Sequence, residues 1–252
     1  MRILLSNDDG IHARGLAVLE RACEPLGELH VVAPDREQSA TSHSLTLHHP
    51  LRPVRLGERR WQVDGTPTDC VMLACEALLE ARPDFVISGI NHGPNMGEDV
   101  LYSGTVAAAM EGLALGIPSV AVSFAGNVLR ADALLDTQIE LLRGLLQRIM
   151  TLPKFPADTL LNVNLPAVEA SQVKGVRLTR LGRRVFSDSI ARMKDPWGRE
   201  ILWIGGGSVA WSGPDDSDFR AVHDGYVSVT PLHLDLTHNV VLESATDWWQ
   251  AP

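Results

Sequence analysis

Residues 2–10 of the sequence read Arg2-Ile3-Leu4-Leu5-Ser6-Asn7-Asp8-Asp9-Gly10. Residues 3–5 form an uninterrupted apolar run, which is typical of a β-strand covered on both faces. The polar residues after this run indicate a turn, and residues 15–26 then have the apolar spacing of an amphipathic helix. This order of strand, turn and helix predicts the first part of a βαβ unit.

The same alternation of strands and helices continues along the chain. Further buried strands are predicted at residues 29–33, 85–87, 119–123 and 160–163. Further helices are predicted at residues 66–81, 106–115 and 132–150. The helix at 66–81 has a clear beginning, because Thr66 suits the N-cap, Pro67 the first helical position and Asp69 a capping box. The pattern predicts a Rossmann-like α/β fold of three layers, with a parallel sheet and right-handed crossovers.

The pattern changes near residue 175. Short alternating strands are predicted at 45–47, 54–56 and 61–63 within the first part, and at 176–179, 201–204 and 226–229 after the change. The later strands are separated by turns such as Gly205-Gly206-Gly207, which indicates long hairpins. We therefore predict a Rossmann-like catalytic core over 1–175 and a β-rich C-terminal extension over 176–252. Hairpins of this size often complete a subunit interface, so we expect a homodimer or homotetramer.

Composition limits the classes of partner. The chain has 252 residues and a formal net charge of −9, which argues against nucleic-acid or membrane-surface binding because both need a basic face. Its three cysteines show no metal-ligand spacing and are expected to be buried thiols in a reducing cytosol. No apolar run approaches the roughly 20 residues of a membrane span, and no signal-peptide pattern is present. We expect a cytoplasmic protein.

Asp8 and Asp9 follow the first predicted strand, at the edge of a parallel sheet where ligands bind. Two adjacent carboxylates repel each other unless a cation or a donor neutralises them, and hard oxygen ligands suit Mg²⁺, Mn²⁺ or Ca²⁺. An aspartate turn that caps the next helix is the other interpretation, and these residues alone leave both open. A dinucleotide site is excluded, because only Gly10 and Gly15 stand where a G-x-G-x-x-G array is needed.

Two more polar loops follow predicted strands. Residues 34–44 are rich in hydroxyl and amide side chains and include Ser39, although a solvated loop is the simpler interpretation of that segment. In residues 88–105, Asn91 and Asn95 offer amide oxygens, and Ser103-Gly104-Thr105 opens a helix. A helix start presents free N–H groups and the positive end of the helix dipole, which suits a phosphoryl group. Together the three loops predict a site for a cation and a phosphate.

Seven motifs of the chain then match one known family in order and spacing. They are Ser6-Asn7-Asp8-Asp9-Gly10, Gly65-Thr66-Pro67-Thr68-Asp69-Cys70-Val71, Tyr102-Ser103-Gly104-Thr105-Val106 with Glu111-Gly112, and the segments 33–39, 88–95, 162–166 and 225–232. In these motifs, which span nearly the whole chain, the sequence resembles the SurE family, the survival-protein nucleotidases.

The resemblance implies a phosphatase that needs one divalent metal ion per subunit. It implies hydrolysis of nucleoside 5′- and 3′-monophosphates, with short-chain polyphosphate as a further substrate. By the same resemblance, the metal ligands are Asp8, Asp9, Ser39 and Asn91. The phosphate would be faced by Asn95, Ser103, Gly104 and Thr105. Our own hypothesis is that the two aspartates, Asp8 and Asp9, are catalytic. Family members are dimers or tetramers that exchange C-terminal segments, in agreement with the predicted hairpins.

Two residues depart from the family pattern, and two alternatives to the mechanism remain. Arg14 stands where proline is common, and His92 stands where a small or basic residue is usual, which leaves base preference and rate open. Our hypothesis is that Asp9 positions or deprotonates the attacking water. An aspartyl-phosphate intermediate is disfavoured, because phosphatases of that type usually space their acids as D-x-D. A non-catalytic nucleotide or polyphosphate sensor is the alternative function.

Overall fold

A mostly parallel sheet with helices on both faces forms the centre of the protein. The structure, a computed structural model, describes residues 1–126, 128–187, 190–204, 208–245 and 248. Within them, nine strands form the main sheet, in the order β3 (Pro53–Gly57), β4 (Arg60–Val63), β2 (Glu28–Pro34), β1 (Arg2–Ser6), β5 (Phe85–His92), β6 (Ser119–Phe124), β7 (Leu160–Leu165), β13 (Val227–Leu232) and β8 (Val176–Leu178). Six neighbouring strands of this sheet, β4, β2, β1, β5, β6 and β7, run parallel to one another. At the two ends of this group, β3 is antiparallel to β4 and β13 is antiparallel to β7.

The helices complete the predicted three layers. They are α1 (Arg14–Cys23), α2 (Pro67–Leu73), α3 (Gly104–Ala114), α4 (Val128–Thr137), α5 (Ile139–Met150), α6 (Asp218–His223) and α7 (Asn239–Ser244). Successive residues of a strand face opposite sides of the sheet. Leu5 accordingly packs with Leu16 of α1 and Leu142 of α5, whereas Leu4 packs with Val71 of α2. The core therefore lies on both faces of the sheet, as the uninterrupted apolar strands predict.

The chain reverses its direction of winding at β1. From β1 it moves to β2 on one side, and it later returns to β5 on the other side of β1. In an open α/β sheet the loops diverge at such a switch point and leave a crevice beyond the carboxyl ends of the two strands. The crevice between β1 and β5 is therefore the expected position of a ligand.

Several predicted elements differ in detail. The predicted strand at 45–47 is wrong: the backbone N–H and the hydroxyl of Thr46 donate to the Asp69 carboxylate at 3.0 and 2.6 Å instead of to a strand partner. The predicted helix at 132–150 is two helices, α4 and α5, with a break at Gln138. The Gln138 amide donates to the carbonyls of Pro166 and Val168 at 2.8 and 2.6 Å, which holds the break in place.

The capping box at the start of α2 is confirmed. Thr66 Oγ1 accepts from the Asp69 N–H at 3.1 Å, and Asp69 Oδ2 accepts from the Thr66 N–H at 2.8 Å. The α-helix then ends at Leu73 and continues through Ala74–Leu78 with wider turns of the π type, three residues short of the predicted end.

A long hairpin arm follows the core. Its strands are β9 (Arg183–Ser187), β10 (Ile190–Lys194), β11 (Glu200–Ile204) and β12 (Ser208–Ser212). The β9–β12 and β10–β11 ladders are antiparallel, while the Gly205-Gly206-Gly207 turn lies outside the described residues. The boundary at 175 stays a prediction, but β8 and β13 come from beyond it and belong to the main sheet.

Candidate active site

The acid pair sits in a tight turn directly after β1. The side chain of Asn7, which is fully buried, donates from Nδ2 to the Gly10 carbonyl at 3.0 Å and accepts from the Gly10 N–H at 3.2 Å. These two bonds close the turn with Asn7 alone, as asparagine does in Asx turns. Asp8 and Asp9 are therefore both left available at the carboxyl end of the strand.

Asp8 lies against the N-terminus of α3. It is buried, and its Oδ1 accepts a hydrogen bond from Thr105 Oγ1. The close approach of Asp8 to the start of α3 requires glycine at position 104, because a Cβ there would lie 2.7 Å from the Cβ of Asp8. Ser103 is the N-cap of α3, and its Oγ accepts from the Val106 N–H at 3.0 Å. The first turn of the helix thus points its unpaired N–H groups and its positive dipole end toward the acid pair.

Asp9 is tied to the end of β5. Its Oδ2 accepts from the His92 backbone N–H at 3.3 Å, and Asp9 is less buried than Asp8. Arg14, the other departure from the family pattern, forms an ion pair with Asp136 of α4. The turn after β1 therefore touches both the 88–96 segment and α3, as the three-loop hypothesis predicts.

Both carboxyl groups carry raised pKa values. Burial raises the pKa of Asp8 to about 6, the Thr105 hydroxyl opposes the shift, and the charge of Asp9 adds to it. Burial also raises the pKa of Asp9, where His92 acts in the opposite direction and Glu37 in the same one. Two crowded acids with raised pKa values are stabilised in the ionised form by a bound cation, so they suit a hard divalent ion.

A metal ion held by Asp8 and Asp9 would need neutral oxygen atoms as its further protein ligands. In the described part of the chain, no three His, Cys, Asp or Glu side chains form a group that could hold a metal ion. Ser39 belongs to the loop after β2, where the Gln38 N–H donates to the Asp8 carbonyl at 2.7 Å. The exposed Ser39 hydroxyl itself donates to Glu37 Oε1 at 2.6 Å.

Asn91 lies one residue before the His92 N–H that reaches Asp9. Its Nδ2 donates to the Gly93 carbonyl at 2.9 Å, so its oxygen Oδ1 is the atom available to a ligand. Among the described hydrogen bonds, none joins Ser39 or Asn91 to either carboxylate. The structure therefore brings their loops to the acid pair without linking these two side chains to it.

Asn95 is buried in a network that sequence reasoning missed. Its Nδ2 donates to Ser123 Oγ of β6 at 2.8 Å, and its backbone N–H donates to Asn164 Oδ1 of β7 at 2.9 Å. The Asn95 carbonyl accepts from Asn162 and Asn164 at 2.8 and 3.0 Å. Two asparagines on one face of an otherwise apolar strand could have indicated this role, because buried amides need partners.

Asp218 is a second missed residue. It is fully buried at the start of α6, and its carboxylate accepts from the backbone N–H groups of Gly97, Gly182 and Phe219 at 2.8 to 2.9 Å. Burial raises its pKa, and the three donors oppose that shift. Asp218 thereby joins the site segment after Asn95 to the base of the hairpin arm and to α6.

Comparison with known proteins identifies a family that the chain matches over most of its length. The profile of the family described as Survival protein SurE matches residues 3–188. A protein of Gemmatimonas aurantiaca named 5′-nucleotidase SurE is 84% identical over 252 residues, with 100% of both chains covered. The protein of the same name from Aeromonas hydrophila is 47% identical, with 98% of each chain covered.

A solved structure confirms the fold. The crystal structure of the SurE protein from Aquifex aeolicus superposes with a TM-score of 0.86 at 40% sequence identity, and the match covers 100% of both chains. The Rossmann-like α/β class and the additional C-terminal hairpins are therefore as predicted. The chain belongs to the SurE family.

Proposed function

We propose that this protein is a divalent-metal-dependent phosphatase that hydrolyses nucleoside 5′- and 3′-monophosphates to nucleoside and phosphate. Short-chain polyphosphate is a further proposed substrate. The names of the relatives support a 5′-nucleotidase. The observation that carries the proposal is the contact of one acid pair with both the end of β5 and the N-terminus of α3. A cation between these elements would meet a phosphate at the positive end of a helix.

The donor set suits a hard cation. Asp8 and Asp9 would hold it, with neutral oxygens from Ser39 and Asn91 completing the ligands. When bound, such an ion neutralises charge on the phosphoryl group and makes a nearby water more acidic.

The other groups would bind and orient the phosphate. The backbone N–H groups of Gly104 and Thr105 lie in the first turn of α3 and have no carbonyl partners within the helix. They can hold the phosphate oxygens, while the Ser103 cap keeps the helix start in place. Asn95 would present its amide from a fixed position, because Ser123, Asn162 and Asn164 hold it.

Asp9 is the proposed base or positioning group for the attacking water. It is more exposed than Asp8, whose Oδ1 is already occupied by the Thr105 hydroxyl. In this proposal Asp8 mainly holds the cation, and Asp9 contributes to both binding and proton transfer.

Assembly and location are further parts of the proposal. The described hairpin arm exposes several apolar side chains, including Ile190, Met193, Trp197, Trp203 and Ile204, with exposed fractions of 48% to 90%. Such a surface favours contact with a second copy of the chain, in a homodimer or homotetramer. Among the described residues no helix combines the length and the apolar character of a membrane span. Three buried, unpaired cysteines support a reducing, cytoplasmic location.

An assay of phosphate release tests the proposed function. The purified protein is assayed with AMP, GMP and p-nitrophenyl phosphate in Mn²⁺ or Mg²⁺, with and without EDTA. We expect activity that EDTA abolishes, and a loss of at least about 10²-fold in Asp8→Asn and Asp9→Asn. Asp215→Asn, at an exposed acid, is the matched control. Activity that survives EDTA, or normal turnover in both site variants, would contradict the proposal.

A further inference from the structure

A cleft of about 470 Å³ lies beside the segment that carries Asn95. Pro94 and Met96, the two neighbours of Asn95, line one side of it. Trp211 at the end of β12 and Phe219 of α6 line it as well, and Arg220 adds a charged group. The volume and the mostly apolar, aromatic lining are those of a small-molecule pocket.

We propose that this cleft binds the base of the nucleoside monophosphate, with the stacked pair of Trp211 and Phe219 as its aromatic wall. The inference rests on the proposed function and adds to it a determinant of substrate choice. Aromatic side chains stack on the faces of all nucleobases, so a site of this kind distinguishes nucleotides from base-free phosphomonoesters.

The cleft begins close to the acid pair. The His92 N–H donates to Asp9 Oδ2 at 3.3 Å, and Pro94 is two residues further along the chain. Two residues span at most roughly 7 Å, so the first residue of the cleft lies within that distance of the residue that contacts Asp9. A ligand with a phosphate at the acids and a base in the cleft therefore has a short path between them.

Trp211 is held in one orientation. Its ring stacks on Phe219, with centroids 6.0 Å apart and an angle of 17° between the planes. The Arg184 guanidinium lies 5.8 Å from the Trp211 ring centroid and forms an ion pair with Asp99, four residues before Ser103. A preorganised ring loses little conformational entropy when a ligand binds, which favours affinity.

The cleft and the phosphate segment are joined by Asp218. One of its carboxylate oxygens accepts from the Gly97 N–H, and the other accepts from the Phe219 and Gly182 N–H groups. Asp218 thus fixes the wall that contains Phe219 relative to the segment that contains Met96. Among the described residues that line the cleft none is acidic. Arg220 donates from Nε to the neighbouring Asp224 at 3.3 Å, and its terminal N–H groups can donate to ring nitrogens and carbonyl oxygens of a base.

The test compares a nucleotide with the same phosphate ester without a base. KM and kcat are measured for AMP and for ribose 5-phosphate in wild type and in Trp211→Ala. We expect KM for AMP to rise about 5- to 150-fold, the effect of removing one base–aromatic stack, while KM for ribose 5-phosphate changes less than about twofold. An equal rise for both esters, or no rise for AMP, would overturn the inference.

Trp61→Ala is the matched control. Trp61 is likewise half-buried and lies 5.6 Å from a guanidinium, that of Arg55, but it belongs to β4. Its substitution is expected to leave the ratio of the two KM values unchanged. If Trp211→Ala does not fold by circular dichroism, Trp211→Leu and Trp211→Phe replace it, and equal KM values for AMP in these two variants would overturn the inference.

Binding of adenosine separates this inference from the proposed function. Equilibrium dialysis in EDTA needs neither metal nor turnover, and wild type is expected to bind adenosine at least fivefold more tightly than Trp211→Ala. If wild type hydrolyses neither ester, the proposed function fails and the dialysis alone decides the role of the cleft. Equal binding by both proteins, or none by wild type, would refute that role.

Discussion

Thr105 Oγ1 donates a hydrogen bond to Asp8 Oδ1 across 97 positions of sequence. Both residues are buried, so this bond acts on a carboxylate that is largely removed from water. A hydrogen bond to an ionised group contributes about 1.5 to 3 kcal/mol, more than a neutral pair does. It partly offsets the cost of keeping Asp8 charged, and it ties the start of α3 to the turn after β1.

Thr105→Val is therefore expected to weaken the site. The substitution keeps the shape of the side chain and removes its donor, so the pKa of Asp8 should rise further and affinity for Mn²⁺ should fall by at least about tenfold. Thr105→Ser keeps the donor and serves as the control. Isothermal titration with Mn²⁺ measures both variants, and equal affinities for Val and Ser would show that the bond does not support the site.

Gly104→Ala should damage the site more than the fold. A Cβ at position 104 would meet the Asp8 Cβ at 2.7 Å and its Oδ2 at 3.0 Å, so either the acid or the start of α3 must move. We expect kcat/KM for AMP to fall by at least about 10²-fold, because misplacement of about 1 Å has that effect on a reacting geometry.

Gly144→Ala is the control for that variant. Gly144 lies inside α5, and a Cβ there has no heavy atom within 4 Å. Alanine is the better helix former by about 1 kcal/mol, so this variant should be as active as wild type and slightly more stable to urea. Equal activity of both alanine variants would mean that Asp8 and α3 need not be so close.

The contrast between local and long-range contacts explains which features the sequence could predict. The capping box of Thr66 and Asp69 needs only residues three apart, and it is present. The meeting of Asp8 with Thr105 follows from a general rule, because neighbouring parallel strands carry their loops to one edge of a sheet. The capping box and the meeting of these two loops are therefore predictable from the sequence.

Other features depend on partners that no local pattern identifies. The break at Gln138 is held by carbonyls 28 and 30 residues away, and Asp218 reaches Gly97 over 121 positions. The residues around Thr46 have the alternating pattern of a short strand, but its backbone N–H and its hydroxyl donate to the Asp69 carboxylate. In each case the packing of distant elements brings a buried polar group to its hydrogen-bond partner. The periodicity of the surrounding residues therefore does not indicate which partner that group has.

Cation binding should depend on pH around the pKa of Asp8. Burial raises that pKa to about 6 in the metal-free protein, so Asp8 is mostly neutral below pH 6 and ionised above it. A cation must displace the proton, and its apparent Kd should therefore rise up to tenfold for each unit that the pH falls below 6. Titrations with Mn²⁺ at pH 5, 6, 7 and 8 measure this slope. A Kd that does not change between pH 5 and 7 would contradict the assignment of Asp8 as a ligand.

The hairpin arm should carry the contact between subunits. Ile204 is 90% exposed at the end of β11, and its cross-strand partner Ile190 in β10 is 48% exposed. Apolar side chains that remain in water do not stabilise a single folded chain. Their burial against a second copy contributes roughly 25 cal/mol of stabilisation per Å² of apolar surface. Ile204→Glu is therefore expected to convert the oligomer into a monomer, because a buried unpaired carboxylate is costly. Ser212→Glu, at an exposed polar position of the same arm opposite Arg183, should leave the assembly intact. Light scattering after gel filtration gives the mass of each protein at equal concentration, and a monomeric wild type, or an Ile204→Glu variant of unchanged mass, would remove the arm from the interface.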